Sequence, residues 1–135
     1  MKELIVVAGI ILHEGKVLCM QRDRSKYEYV SYKYEFPGGK VEPLENQLEA
    51  LKRELFEEMN IEAEILDAAP YLTVMHEYPD FIIHMHSYRC RLGTFSFTLK
   101  DHVGYQLLAI PDLLSLDWAP ADIPIVKKLM AEAGV

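Results

Sequence analysis

The segment PGGKVEPLENQLEALKRELFEEMNI, Pro37 to Ile61, constrains this chain more than any other. It opens on breakers: Pro37 fixes its own φ, and Gly38-Gly39 permits backbone approaches that a side chain would forbid. A helix follows. Asn46 with Glu49 three residues later has the capping-box pattern. Leu48, Leu51, Leu55 and Met59 recur at helical spacing, and Asn60, the second choice after glycine for a left-handed cap, marks the end. The leucine stripe must be buried, and what it leaves uncovered is acidic. Glu54, Glu57 and Glu58 stand at i, i+3 and i+4, which puts them on one face, roughly 120° from the leucines at about 100° per residue. Ala50, one turn earlier, leaves room beside Glu54.

Three like charges on one face repel by a few tenths of a kcal/mol per pair. The chain is already acidic, with 21 Asp and Glu against 14 Lys and Arg and a formal net charge of -7. A solvated acidic face is the ordinary meaning of such a run. A hard divalent cation would reverse the sign, because Mg²⁺ takes carboxylate oxygens and is commonly shared with substrate phosphates. Neutralising Glu54 or Glu57 is then expected to leave the metal-free fold intact, or slightly more stable.

The remaining sequence supplies the scaffold. The apolar run Leu4 to Leu12 is too short to span a bilayer and reads as a buried strand. HEGKVLCMQR continues it into a hairpin. A tyrosine-rich loop, Tyr27 to Tyr34, leads to a short strand ending at Phe36; it fits a lid, a dimer contact or plain surface equally. IEAEILDAAPYLTVMHEY and FIIHMHSYRCRL read as two strands joined by a turn at Pro79-Asp80, YQLLAI as a further strand, PDLLSL as a short helix or turn, and ADIPIVKKLMAEA as a closing amphipathic helix. With 135 residues, these elements make one domain, residues 1–135, with a mixed sheet and helices packed on it, of the α/β (α+β) class. Cys19 and Cys90 lie in apolar stretches and are expected to be buried thiols. The acidic balance argues against a nucleic-acid polymer as partner, no membrane partner is expected, and the absence of a secretory signal reads as cytoplasmic.

From Gly39 the chain reads Gly, five residues, Glu45, seven residues, Arg53-Glu54-Leu55, one residue, Glu57-Glu58, one residue, Asn60, Ile61. This resembles the signature box of the Nudix hydrolase superfamily, with Asn60 where the family usually has glycine. The resemblance implies an α/β/α sandwich carrying the box as loop-helix-loop, and hydrolysis of a nucleoside diphosphate linked to another moiety with Mg²⁺ or Mn²⁺. It implies Glu57 and Glu58 as metal ligands, Glu54 as a ligand or the base that orients the attacking water, and the Gly38 carbonyl facing a metal. Arg53 and Glu45 would pair to hold the box together. Phosphoryl transfer needs positioning and charge neutralisation more than covalent help, which such a cluster supplies.

More thinly, nearly the whole chain resembles MutT-like nucleoside triphosphate pyrophosphohydrolases. EFPGGKVE, with Glu35 and Phe36, has the form that these share. By the same likeness Arg22 would contact phosphate, Tyr78 would stack on the base, Asp122 would read the base and Asp101 would be a further metal ligand, one carbon shorter than the usual glutamate. Tyr34 stands where tryptophan is common. Each has a plainer reading: Arg22 as a strand-end charge, Tyr78 as hairpin packing, Asp122 as the cap of the last helix. His84 and His86 alternate on one strand and are expected at the core edge or in the pocket wall rather than on zinc. A carboxylate at Asp122 can accept from the exocyclic amine of cytosine. Cytidine or modified-cytidine triphosphates are therefore the first expectation, with 8-oxo-dGTP, or another Nudix substrate such as a nucleotide sugar, as the alternatives. A nucleotide-sensing module without turnover is less favoured, because the three box carboxylates are present. A monomer or a homodimer is expected.

Overall fold

The computed structural model describes residues 1–135. Strand β1 (Lys2–His13) turns into β2 (Lys16–Arg22) through Glu14 and Gly15, both at positive φ, 50° and 77°. That is the backbone a tight two-residue hairpin demands. Then come β3 (Tyr34–Glu35), β4 (Gly38–Lys40), α1 (Gln47–Met59), β5 (Glu64–Ile65), β6 (Leu72–Glu77), β7 (Phe81–Arg91), β8 (His102–Ala109), 3₁₀ turns at Ile110–Ser115 and Pro120–Asp122, and α2 (Ile123–Glu132).

The sheet is mixed, as expected. β1 runs parallel to β7 from Lys2–Phe81 to Leu12–Arg91. Its other edge changes partner. Near the turn it pairs with β2, at Leu12–Val17 and His13–Lys16, and further back with β4, from Val6–Lys40 to Ala8–Gly38. Gly9 bridges the change by donating its N–H to the Pro37 carbonyl at 2.7 Å. β2 goes on to pair with β3 and β8. β1 thus forks between two partners, and the segment Phe36 to Lys40 lies in the fork.

Strand alternation decides which helix covers which face. Val7 and Ile11 of β1, Leu18 and Met20 of β2, and Tyr88 and Cys90 of β7 pack with Ala50, Leu51, Leu55 and Met59 of α1. Ala8, Ile10, Val17, Cys19 and Met85 face the other way, toward Ile125, Val126 and Leu129 of α2. The leucine stripe therefore does what its spacing predicts. Both cysteines are fully buried, and burial pushes each thiol up to about 12. Asn60 ends α1 in the left-handed region, φ 55° and ψ 41°, and donates its N–H to the carbonyls of Leu55 and Phe56.

The strand expected from Ile61 to Tyr78 is broken. β5 and β6 both run antiparallel to β7, but the ladder lapses around Asp67–Pro70, where proline has no N–H to give. Asp67 takes over: its carboxylate accepts the backbone N–H of Arg89 at 2.7 Å and pairs with that residue's guanidinium at 2.8 Å. These bonds hold the Asp67 carboxyl below its ordinary range. The contribution is therefore present above that range and fades on acidification. Asp67→Ala is expected to cost about 1–3 kcal/mol of stability at neutral pH, read as a lowered Tm, with less difference from wild type as the pH falls toward the carboxylate's own titration.

Candidate active site

The fork in β1 requires two glycines. A Cβ on Gly38 would overlap the carbonyl oxygen of Val7, so β4 reaches β1 only without one. A Cβ on Gly39 would overlap the Glu54 carboxylate, which packs directly on that backbone. The breaker pair thus seats the acidic helix against the sheet.

Arg53 organises the carboxylates. Its Nε and Nη2 donate to the two oxygens of Glu45 at 2.7 and 2.9 Å. Nη1 donates to Glu54 at 2.9 Å and Glu57 at 3.1 Å, and Nη2 also donates to the Lys40 carbonyl at 3.0 Å. Glu45 accepts the N–H of Glu42 as well, and these bonds, the one from Arg53 foremost, hold its carboxyl down at about 2. The expected Arg53–Glu45 pairing is present. Glu54 and Glu57 both pair with Arg53, so part of the repulsion that their neutralisation would relieve is already offset.

A cavity of about 590 Å³ opens beside this box, within the size range of small-molecule sites. Gly38, Gly39, Glu58 and Asp101 line it, as do Arg22, Glu35, Phe36, Tyr78 and Asp122. Glu54 and Glu57 do not. Glu54 lies behind Gly39, and Glu57 is exposed on the Arg53 side. No three acidic, histidine or cysteine side chains converge here at metal-ligand spacing.

The donor set nonetheless fits a hard cation. Oε2 of Glu58 is buried without a hydrogen-bond partner. Burial above all, with Glu54, Glu35 and Asp101 adding repulsion, pushes the Glu58 carboxyl up to about 8. A carboxyl in that position is short of positive charge, and oxygen donors are what Mg²⁺ or Mn²⁺ takes.

The residues read as substrate contacts fall in one region, in unequal states. Glu35 is fully engaged, accepting from Arg22 Nη1 at 3.1 Å and meeting His102 Nε2 at 2.9 Å. Asp122 is buried; its Oδ1 accepts the Phe36 N–H at 3.0 Å, and burial raises its carboxyl well above the ordinary range. Although it precedes α2, its side chain makes no cap bond, so the capping reading is corrected. Tyr78 is 4% exposed, with its hydroxyl accepting the Ala121 N–H and its ring stacked on Tyr29. It presents little free ring face for stacking.

His84 and His86 are not in the pocket wall. The pleat that turns Phe81, Ile83 and Met85 to the cavity turns them to the opposite face, where His84 meets Glu3 at 2.7 Å and His86 meets Thr73 at 2.9 Å. Two lining cations, Arg24 and Lys26, escaped the sequence reading. Arg24 and Lys26 carried a signal, two cations in an acidic chain beside a strand end. The contact of His102 with Glu35 has no local signal, since it depends on β3 and β8 both flanking β2.

Between 4.5, its ordinary value, and about 8, Glu58 is protonated in the folded chain and ionised in the unfolded one. Folding takes up a proton there, so cation-free stability falls as pH rises through that window. Glu58→Gln is expected to flatten the fall, measured as Tm from about pH 5 to 8.5. Added Mg²⁺ is expected to offset it in wild type and not in the variant.

Residues 3–129 match the NUDIX domain. Over 133 residues the chain is 38% identical to the CTP pyrophosphohydrolase of Escherichia coli K12, covering 97% of this chain and 94% of that one. It is 30% identical over 129 residues to the 8-oxo-dGTP diphosphatase of the same organism, covering 96% and 98%. The solution structure of the E. coli ORF135 protein matches with a TM-score of 0.80 at 36% identity, over 97% of this chain and 91% of that one. With the loop-helix-loop box bound together by Arg53 and the match running through nearly every element, the chain belongs to the Nudix family of hydrolases.

Proposed function

We propose that the protein hydrolyses nucleoside triphosphates to the monophosphate and pyrophosphate with Mg²⁺ (or Mn²⁺), and that cytidine triphosphates, CTP, dCTP or a modified form, are its substrates. The observation that carries this reading is a single cavity shared by Glu58 of the box, the buried carboxyl of Asp122 and the cations Arg22, Arg24 and Lys26. A triphosphate needs the cations and the box together; a base needs a buried polar reader.

When bound, a divalent cation neutralises charge on the phosphate oxygens. Glu58 and Asp101 would hold it, with Glu54 and Glu57 joining on exchange of their bonds to Arg53. Arg53 keeps the helix and loop in register. Arg24 and Lys26 bind the phosphate chain, while Arg22, tied to Glu35, positions that carboxylate more than it binds substrate. Asp122 has one oxygen committed to the Phe36 N–H. The other is left to meet the base, where the exocyclic amine of cytosine is a matching donor. The 38% identity to a CTP pyrophosphohydrolase supports the same choice.

The second reading is 8-oxo-dGTP as substrate, favoured by the 30% identity to an 8-oxo-dGTP diphosphatase and by the capacity of a raised carboxyl to donate as well as accept. Pyrophosphate release with Mg²⁺ across CTP, dCTP, 5-methyl-dCTP, 8-oxo-dGTP, dGTP, ATP, ADP-ribose and a nucleotide sugar separates the two. The expected result is the highest kcat/KM on the cytidine triphosphates. Asp122→Asn is expected to narrow that preference by about tenfold or more, since a matched buried hydrogen bond discriminates strongly. Glu54→Gln and Glu57→Gln are each expected to lose most turnover while remaining folded. Full activity in either would refute the role given to the box.

A further inference from the structure

The tyrosine-rich loop rests on the hairpin that walls the cavity. Within it, Ser31 Oγ accepts the Ser25 N–H at 2.8 Å and donates to the Ser25 carbonyl at 3.1 Å, closing residues 25–31 into one unit. That unit is fastened to the β6–β7 hairpin at its tip. The Tyr29 hydroxyl donates to the Asp80 carboxylate at 2.8 Å. The Tyr29 ring stacks on Tyr78 with centroids 5.2 Å apart and planes 22° apart. Tyr27 leans on Phe81 at 5.4 Å and stacks on Tyr29 at 5.4 Å. Lining residues come from both sides of this seam: Arg24, Lys26 and Tyr27 from the loop, Tyr78 and Phe81 from the hairpin.

We propose that Tyr29, fastened to Asp80 and stacked on Tyr78, is a positioning residue that closes the loop onto the hairpin and so sets the wall that holds the nucleotide. This rests on the reading of the cavity as a nucleotide site. Tyr29 is not among the residues lining that cavity. It acts through the groups on either side of it, bringing Arg24 and Lys26 over the cavity and backing Tyr78. Such a residue contributes to holding substrate and transition state alike, so its loss raises KM and leaves kcat.

The test uses the full chain with Tyr29→Phe, which keeps the ring and removes the hydroxyl, Asp80→Asn, which keeps the shape and removes the charge, and the two together. Each single variant is expected to raise KM for CTP with Mg²⁺ by about three- to tenfold, the range that one surface hydrogen bond to a charge allows. kcat is expected to stay within about twofold and Tm to be unchanged. The double variant is expected to do no more than the larger single, because both remove one interaction. Trypsin cleavage after Arg24 or Lys26, in substrate-free protein, is expected to speed up in all three. An unchanged KM overturns the proposal, as does a fall in kcat and Tm without faster cleavage. If the wild type turns over no nucleotide, the enzymatic reading fails on its own, and the cleavage rates decide whether Tyr29 closes the loop: unaltered rates refute it and faster rates support it.

Discussion

The guanidinium of Arg53 is the interaction on which the arrangement of this protein depends. It joins the loop that leaves β4, through the Lys40 carbonyl and Glu45, to the helix face, through Glu54 and Glu57. Without it, the Glu54 carboxylate would be pressed against the Gly39 backbone with no cation beside it. A fork-shaped donor is needed for this, because five N–H groups in one plane can serve several acceptors at once, which an ammonium cannot.

What Arg53 holds in place is a helix at a fork in the sheet. β1 gives one edge to β7 along its whole length and divides the other between β2 and β4. The division opens the sheet beside Phe36–Lys40, and the cavity forms where α1, the loop after β2 and the β6–β7 hairpin meet that opening. The box carboxylates and the buried Asp122 belong to separate layers, one on each face of the sheet. They share a cavity because the fork lets both faces contribute to it. Within the cavity Glu35 adds repulsion at both Glu58 and Asp122. That is the kind of environment that a cation and the amine of a base would each relieve.

How much of this was legible in the sequence follows from distance along the chain. The helix from Gln47 to Met59, its cap at Asn46 and its left-handed end at Asn60 lie within one short segment, and local rules read them directly, while the Arg53–Glu45 pairing came from the family resemblance. The burial of Cys19 and Cys90 followed from their apolar neighbours. The features missed join distant residues: His102 to Glu35, Tyr29 to Asp80, Asp67 to Arg89. The side of the sheet on which His84 and His86 lie depends on register, and a one-residue shift would have reversed it. The plainer reading of Asp122 as a helix cap rests on its place before α2; the Phe36 N–H, far away in sequence, takes its carboxylate instead.

We propose that Glu58, buried with an oxygen left over, marks the place where cation and substrate phosphates meet beneath the loop after β2. Crystals grown with Mn²⁺ and a non-hydrolysable CTP analogue test it most directly, because the anomalous signal locates the ion independently of any assumed chemistry. A Mn²⁺ peak is expected at ligand distance from Glu58, with the phosphate chain between it and Arg24 or Lys26 and the base against Asp122. A peak away from Glu58, or an analogue bound with its phosphates remote from the box, would contradict it.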